Sequence, residues 1–236
     1  MPSRLESLAR DRRRLRGGEA LFKCGDPFRS LYAVYGGCFK TNALDGEGRE
    51  QVTGFFMAGG LLGLDGFGSG RYNVTAVALE DSVVCVMPCA LIEQLSREMP
   101  DVQHELHIAL SGAIVREHAM MARLGSMRAE ERLAAFLLEL SLQFGRRGCS
   151  PREFRLPMTR EDIGSYLGLT LETVSRLLSR FHKRGIVAVR QRHVCLLDAE
   201  RLRALADYRC ASRCRVPQAP RPASPRPAPA CPRTAR

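Results

Sequence analysis

The sequence predicts an α+β chain built from an N-terminal β-roll of the jelly-roll kind, a long dimerisation helix and a C-terminal winged helix-turn-helix. Three observations carry that fold class. Fourteen of the 21 glycines lie between residues 17 and 70, separating short β-prone runs, as in a roll or barrel of short strands. Seam residues of 101–125 recur at alternating steps of three and four. Residues 158–197 read as two short helices around a tight turn, followed by two β-branched runs joined by a basic turn.

At 236 residues the chain is long enough for two modest domains. The net charge of +11 suggests a polyanionic partner. However, no acid follows Asp207, whereas Arg209, Arg213, Arg215, Arg221, Arg226, Arg233 and Arg236 do, so most of the excess lies in the last 29 residues. No apolar run reaches the roughly 18 residues of a membrane span, and the N-terminus lacks the apolar core of a signal peptide. A cytoplasmic protein without a membrane partner is expected. In that setting the nine cysteines point to free thiols, metal or redox chemistry rather than structural disulfides. We find no Ser/His/Asp order, metal-ligand histidine cluster or phosphate-binding loop, so binding rather than catalysis is expected.

In chain order, residues 1–16 carry Arg10, Arg12, Arg13, Arg14 and Arg16 and are expected to form an N-terminal arm, either a lead-in helix or loose. The roll covers 17–100, with strands expected at 31–35, 51–56, 74–78 and 82–86 and a short helix over 90–99. Its thiols, Cys24, Cys38, Cys85 and Cys89, are the candidate metal or redox groups. Histidine first occurs at His104, which argues against a haem ligand in the roll.

Residues 101–125 form one helix whose seam is His107, Leu110, Ile114, Glu117, Met121 and Leu124. The spacing predicts a two-stranded coiled coil and a parallel homodimer; a monomeric amphipathic helix is the plainer reading. Glu117 would face its symmetry mate and oppose association. A further helix over 127–144 presents Leu133, Phe136, Leu137 and Leu140 on one face. It opens the DNA-binding unit of 126–207.

The helix-turn-helix falls at about 159–179. Thr159 caps the first helix with Asp162 three residues on; Gly168 ends it and Thr170 caps the second. Val174, Leu177, Leu178 and Phe181 form the buried stripe, leaving Glu172, Thr173, Ser175, Arg176 and Arg180 outside. Arginine can bond a guanine edge, glutamate can accept from cytosine N4, and serine or threonine can meet thymine or phosphate. With Thr159, these are the candidate DNA-binding residues. An ordinary helical hairpin with a solvated face is the alternative. Residues 186–197 supply a wing, basic at Arg190 and Arg192. Residues 208–236 form a Pro/Arg-rich tail expected to be disordered.

The stretch 158–169 with Glu172-Thr-Val-Ser-Arg176 resembles the DNA-binding region of the fumarate-and-nitrate-reduction (FNR) class of CRP/FNR transcription regulators. Gly18-Glu-Ala-Leu-Phe-Lys-Cys-Gly-Asp26, Gln51-Val-Thr-Gly-Phe55, Ala129-Glu-Glu-Arg-Leu-Ala-Ala-Phe136 and Ser150-Pro-Arg-Glu-Phe-Arg-Leu156 extend the resemblance over about residues 15–207. It implies a roll of the cyclic-nucleotide-binding kind and a homodimeric activator that responds to oxygen or redox state. It also implies inverted repeats of TTGAT-like half-sites, with Arg176 on guanine, Glu172 on its paired cytosine and Ser175 selecting the outer thymine. Contact with RNA polymerase is implied too, with residues 64–70 a candidate surface. Asp65 and Arg71 do not stand in the order a cyclic-nucleotide site needs, because Tyr72 follows the arginine. The class holds a [4Fe–4S] cluster through three cysteines ahead of the roll and one inside it, which Cys85 matches. No cysteine precedes Cys24 here. Three readings stay open: the sensor arm lies upstream of this sequence, the four roll thiols form a different site, or they are buried small apolar groups. The alternative function is a cluster-free regulator of the same family, responding to nitric oxide or a nucleotide.

Overall fold

The computed structural model describes residues 11–44 and 46–206. Eight short strands make two antiparallel sheets. Strands β1 (Asp11–Leu15), β3 (Ser30–Gly36), β6 (Leu61–Leu62) and β8 (Ser82–Pro88) form one, in the order β1-β8-β3-β6. Strands β2 (Ala20–Phe22), β4 (Cys38–Leu44), β5 (Glu50–Met57) and β7 (Thr75–Ala78) form the other, in the order β2-β7-β4-β5. The period-two alternation of side chains decides what each face meets. Val84 of β8 turns into the space between the sheets with Phe22, Phe39, Leu62 and Tyr72. Its neighbours Cys85 and Met87 turn outward, against Ile92 and Val102 of the helices that follow.

Residues 11–15 correct the expectation of an arm or lead-in helix. They form a strand paired along β8, from Asp11 opposite Val86 to Leu15 opposite Ser82, so the roll begins before Gly17. An edge strand needs a partner on one side only, and arginine stems can cover apolar surface while their charged ends stay in water. Arg12 accordingly lies 3.9 Å from the Tyr35 ring centre, and Arg13 pairs with Glu19 at 3.6 Å. The other portion of the expected arm, residues 1–10, and the tail at 208–236 lie outside the described residues.

The interior of the roll is filled by aromatic rings. Phe22 and Tyr72 stack with centres 3.9 Å apart, Phe28 meets Tyr72 edge-on at 5.5 Å, and Tyr32 stacks on Phe22 at 5.8 Å. The Tyr72 hydroxyl donates to the Ser30 carbonyl at 2.8 Å, so this buried polar end is satisfied. The 64–70 segment, the candidate polymerase surface, holds a one-turn helix α1 (Gly66–Ser69).

Helix α2 (Cys89–Glu98) leads into α3 (Pro100–Ser126), the long helix anticipated at 101–125. Pro100 at its start loses no hydrogen bond there. Val102 is buried against the Cys85 cluster, which seats the first turn of α3 on the roll. Further along, Ile114, Met121 and Leu124 are 56%, 68% and 41% exposed. Helices α4 (Ala129–Arg146), α5 (Arg160–Leu167), α6 (Leu171–Lys183) and α7 (Ala199–Leu205) then pack with a three-stranded sheet. Its strands β9 (Glu153–Arg155), β10 (Val187–Arg190) and β11 (His193–Leu196) run in the order β10-β11-β9. The anticipated wing is the β10–β11 hairpin, and Gln191 at its tip adopts φ 55°. Strand β9 and helix α7 were not anticipated.

The two halves share one core. Cys38 and Met57, on the outer face of the second sheet, belong to the same apolar cluster as Leu133, Phe136, Ile163 and Phe181. Phe55, Phe136 and Tyr166 form a triangle of rings with centres 5.2–5.9 Å apart. Polar ties cross the same boundary. Lys40 Nζ lies 2.7 Å from Asp162 Oδ1, the Val52 amide donates to Ser165 Oγ at 2.8 Å, and the Gln51 side chain donates to the Ser165 carbonyl.

Candidate DNA interface

The turn between α5 and α6 depends on two glycines. Gly168 takes the left-handed conformation (φ 62°) that ends α5. A methyl group on Gly164 would lie 2.7 Å from the Leu169 carbonyl oxygen, so a larger residue would push the turn open. At the start of α5, Thr159 Oγ1 accepts from the Asp162 amide at 3.0 Å, and Asp162 Oδ2 accepts from the Thr159 amide at 2.9 Å and its hydroxyl at 2.7 Å. This capping box also meets the roll, because the other Asp162 oxygen is the one held by Lys40. Burial pushes the Asp162 carboxyl upward, but Lys40 and the Thr159 donors outweigh it and hold the group below the usual carboxylate range.

On α6 the buried stripe is Val174, Leu177, Leu178 and Phe181, as the spacing predicted. The opposite face carries Glu172, Ser175, Arg176, Ser179, Arg180 and Lys183, and the last five line an open groove of about 430 Å³. Glu172 is exposed. Its own backbone amide and the Thr170 hydroxyl, with Arg176 one turn on, hold its carboxyl below the usual range. It is therefore ionised at neutral pH and can only accept hydrogen bonds, which suits an amine edge. Arg176 is exposed beside it. Ser175 is half-buried, and its Oγ accepts from Arg160 Nη1 at 3.2 Å.

Three candidates have structural work to do. The Thr159 hydroxyl is used in the α5 cap, and the Thr173 hydroxyl lies 3.0 Å from that of Thr170, the α6 N-cap. Arg180 lies 3.4 Å from Glu130 of α4, which also holds Arg184 at 2.7 Å. Glu130 thus ties the end of the second helix to α4. Arg160, Lys40 and Ser165 were missed as participants. Arg160 could have been suspected from its place beside the cap, but nothing local marks Lys40, 122 residues from its partner.

The roll thiols do not come together. Cys38 lies in the core shared with α4 to α7, on the outside of the second sheet, whereas Cys85 lies on the outside of the first. Stacked sheets stand about 10 Å apart, so the two point away from each other across the roll. Cys24 is exposed, its Sγ 3.3 Å from the Asn73 carbonyl, and Cys89 begins α2 with its Sγ 3.5 Å from Glu93. Burial pushes the Cys38 thiol up to about 12; burial and Glu93 push Cys89 up to about 11. Both are then poor thiolates at neutral pH. A [4Fe–4S] cluster needs four converging thiolates or close substitutes, and among the described residues no group of three or more Cys, His, Asp or Glu is placed to hold a metal. The reading in which Cys24, Cys38, Cys85 and Cys89 form one site is therefore corrected, and the described donors do not fit the cluster on their own. Nor are the nucleotide candidates free. Asp65 accepts from the Asn73 amide at 2.6 Å, and Arg71 donates to the Gly25 carbonyl at 2.6 Å.

Residues 12–99 match the cyclic nucleotide-binding domain family, and residues 131–205 match the Crp-like helix-turn-helix domain family. The chain is 45% identical over 204 residues to the fumarate and nitrate reduction regulatory protein of Salmonella typhimurium, covering 86% of this chain and 82% of that one. This chain belongs to the CRP/FNR family of transcription regulators. The Escherichia coli K12 protein of the same name is 44% identical over the same length. Among solved structures, FixK2 from Bradyrhizobium japonicum superposes with a TM-score of 0.74 at 32% identity, over 83% of this chain and 96% of that one. A CRP/FNR-family regulator from Thermus thermophilus, TTHA1359, shares the fold with a TM-score of 0.67 at 22% identity. As a CRP/FNR regulator the chain binds DNA through its helix-turn-helix and is not an enzyme. No helix among the described residues is long and apolar enough to cross a membrane.

Proposed function

We propose that this CRP/FNR regulator acts in the cytoplasm as a homodimer that reads inverted repeats of TTGAT-like half-sites and activates transcription through contact with RNA polymerase. The observation that carries the reading is the outer face of α6, where an exposed, ionised Glu172, a half-buried Ser175 and an exposed Arg176 stand side by side. Arg176 would take a guanine edge bidentately, Glu172 the amine of its paired cytosine, and Ser175 a thymine. Two such helices related by a two-fold would enter major grooves about one helical turn apart. The exposed Ile114, Met121 and Leu124 on α3, with half-buried Leu110, support that helix as the dimer seam. His107 and Glu117 are exposed along it. The proposed polymerase surface is α1 and its flanks, where Leu64 and Phe67 pack against the cluster of Cys85, Met87, Ile92 and Val102.

Oxygen or redox state is the signal suggested by relatives named for fumarate and nitrate reduction. The scattered thiols favour a second reading, a cluster-free regulator answering another small molecule such as nitric oxide or a nucleotide. The test of the DNA reading is equilibrium binding to duplexes carrying each base at each half-site position. Arg176→Ala should cost about 1–3 kcal/mol per half-site and relax preference at the guanine position. An unchanged preference profile would sink the assignment. Anaerobic purification with iron analysis separates the signals, since a colourless, iron-free protein that binds DNA favours the second.

A further inference from the structure

We propose that Arg160 determines sequence specificity by fixing the hydroxyl of Ser175 as a hydrogen-bond donor toward the base edge. The inference rests on Ser175 being a base reader. Arg160 is the first residue of α5, and its Nη1 reaches across the turn to Ser175 Oγ on α6 at 3.2 Å. A guanidinium only donates and keeps its charge at any relevant pH, whereas a hydroxyl has one proton and two lone pairs. Arg160 therefore takes a lone pair and repels the positive end of the O–H dipole. The proton turns away from Arg160, toward the groove lined by Ser175, Arg176 and Ser179.

This changes what serine can read. A free serine hydroxyl rotates, and can donate to thymine O4 or accept from cytosine N4 with little preference. One held by a cation is biased to donate, which favours bases presenting an acceptor. An incoming amine would meet a partly used oxygen with positive charge behind it. The geometry is well supported. Arg160 follows Thr159, whose amide and hydroxyl are both bonded to Asp162, and Asp162 is held in turn by Lys40 of the roll. The arginine thus stands on a backbone fixed from two sides, as a positioning residue requires.

The competing role for an arginine at the edge of the interface is a phosphate contact, and the two roles predict different data. The experiment takes a duplex selected by the unaltered full-length chain from a randomised pool, and varies each half-site position through all four bases. Affinities are measured for the unaltered chain, Arg160→Ala, Arg160→Gln, Ser175→Ala and Arg160→Ala/Ser175→Ala. Ser175→Ala locates the position that Ser175 reads. There, Arg160→Ala should remove about tenfold of the preference for an acceptor base over cytosine, while preferences elsewhere stay intact. The double variant should discriminate at that position just as Ser175→Ala alone does, because Arg160 acts only through that hydroxyl. Arg160→Gln keeps a neutral donor of similar reach, so it should retain part of the preference and guards against a folding defect in the alanine variant. A uniform loss of affinity for every duplex, with a shallower salt dependence and unchanged preferences, would assign Arg160 to phosphate and overturn the proposal. If Ser175→Ala alters preference nowhere, the assignment of Ser175 as a base reader fails, and the role of Arg160 falls with it.

Discussion

The helix-turn-helix and the β-roll put their reactive side chains in opposite places. On α6 the polar groups sit outside and the apolar stripe inside, so Glu172, Ser175 and Arg176 are available to a partner. In the roll, Cys38 and Cys85 are packing groups, while Cys24 is exposed and Cys89 half-buried. Cys38 lies under the DNA-binding half and Cys85 under α2 and α3, on opposite sheets. A surface for a long polymer can be built from one helix face, since neighbours three and four residues apart suffice. A metal site needs residues from several strands to converge, and strand alternation sends these apart.

The largest effect that would sharpen the contrast lies on the DNA-facing side. Arg176→Ala acts at both half-sites of a dimer, so the loss should approach twice the roughly 1–3 kcal/mol of one site, while the thermal midpoint stays within a degree or two. Next comes the boundary between the regions. Lys40→Met should cost about 1–3 kcal/mol of stability, the usual worth of a hydrogen bond to a charged group. The acid limb supplies the sign. Asp162 has its folded pKa depressed, so its contribution is present above the ordinary value of about 3.9 and is lost as pH falls below it. Denaturant melts from pH 5 down to pH 2 should therefore fall less steeply in Lys40→Met, and parallel curves would mean that the ion pair contributes nothing.

The roll thiols come third. Cys38→Ser should destabilise by about 1–3 kcal/mol by burying a hydroxyl in an apolar cluster, whereas exposed Cys24→Ser should stay within about 0.5 kcal/mol. Neither should change visible absorbance or iron content after anaerobic purification. A loss of colour on either substitution would break the comparison, because it would make a packing thiol a ligand. The smallest effect concerns the seam. Glu117→Ala should strengthen self-association by about 1 kcal/mol by removing a facing like charge, read by sedimentation. No change there would remove Glu117 from the dimer seam.

Much of this was legible in the sequence where period alone decides. The stripe of Val174, Leu177, Leu178 and Phe181, the caps at Thr159 and Thr170, the αL residue at Gly168 and the wing over 186–197 were all readable from local spacing. Residues 11–15 were misread because three consecutive arginines hide a strand whose single buried side chain is Leu15. Ties between distant segments were unreadable. Lys40 looks like any strand lysine until β4 is packed against α5, and Thr173 looks like a base reader until its hydroxyl is seen beside that of Thr170. Local chemistry names the candidates, and only packing shows which are already occupied.

The core shared by the roll and the DNA-binding half bears on modularity. Cys38 and Met57 come from the roll yet belong to the core of the C-terminal half, and Phe55 packs on Phe136 and Tyr166, so that core is completed by roll side chains. Cutting the chain after α3 and transplanting the remainder onto another sensor would strip one wall from its interior and leave Asp162 without its cation. A working hybrid would have to bring equivalents of Lys40, Val52, Phe55 and Met57 on its own outer sheet. Hybrids of this C-terminal half with a second sheet that differs at those positions are expected to melt earlier than the unaltered chain.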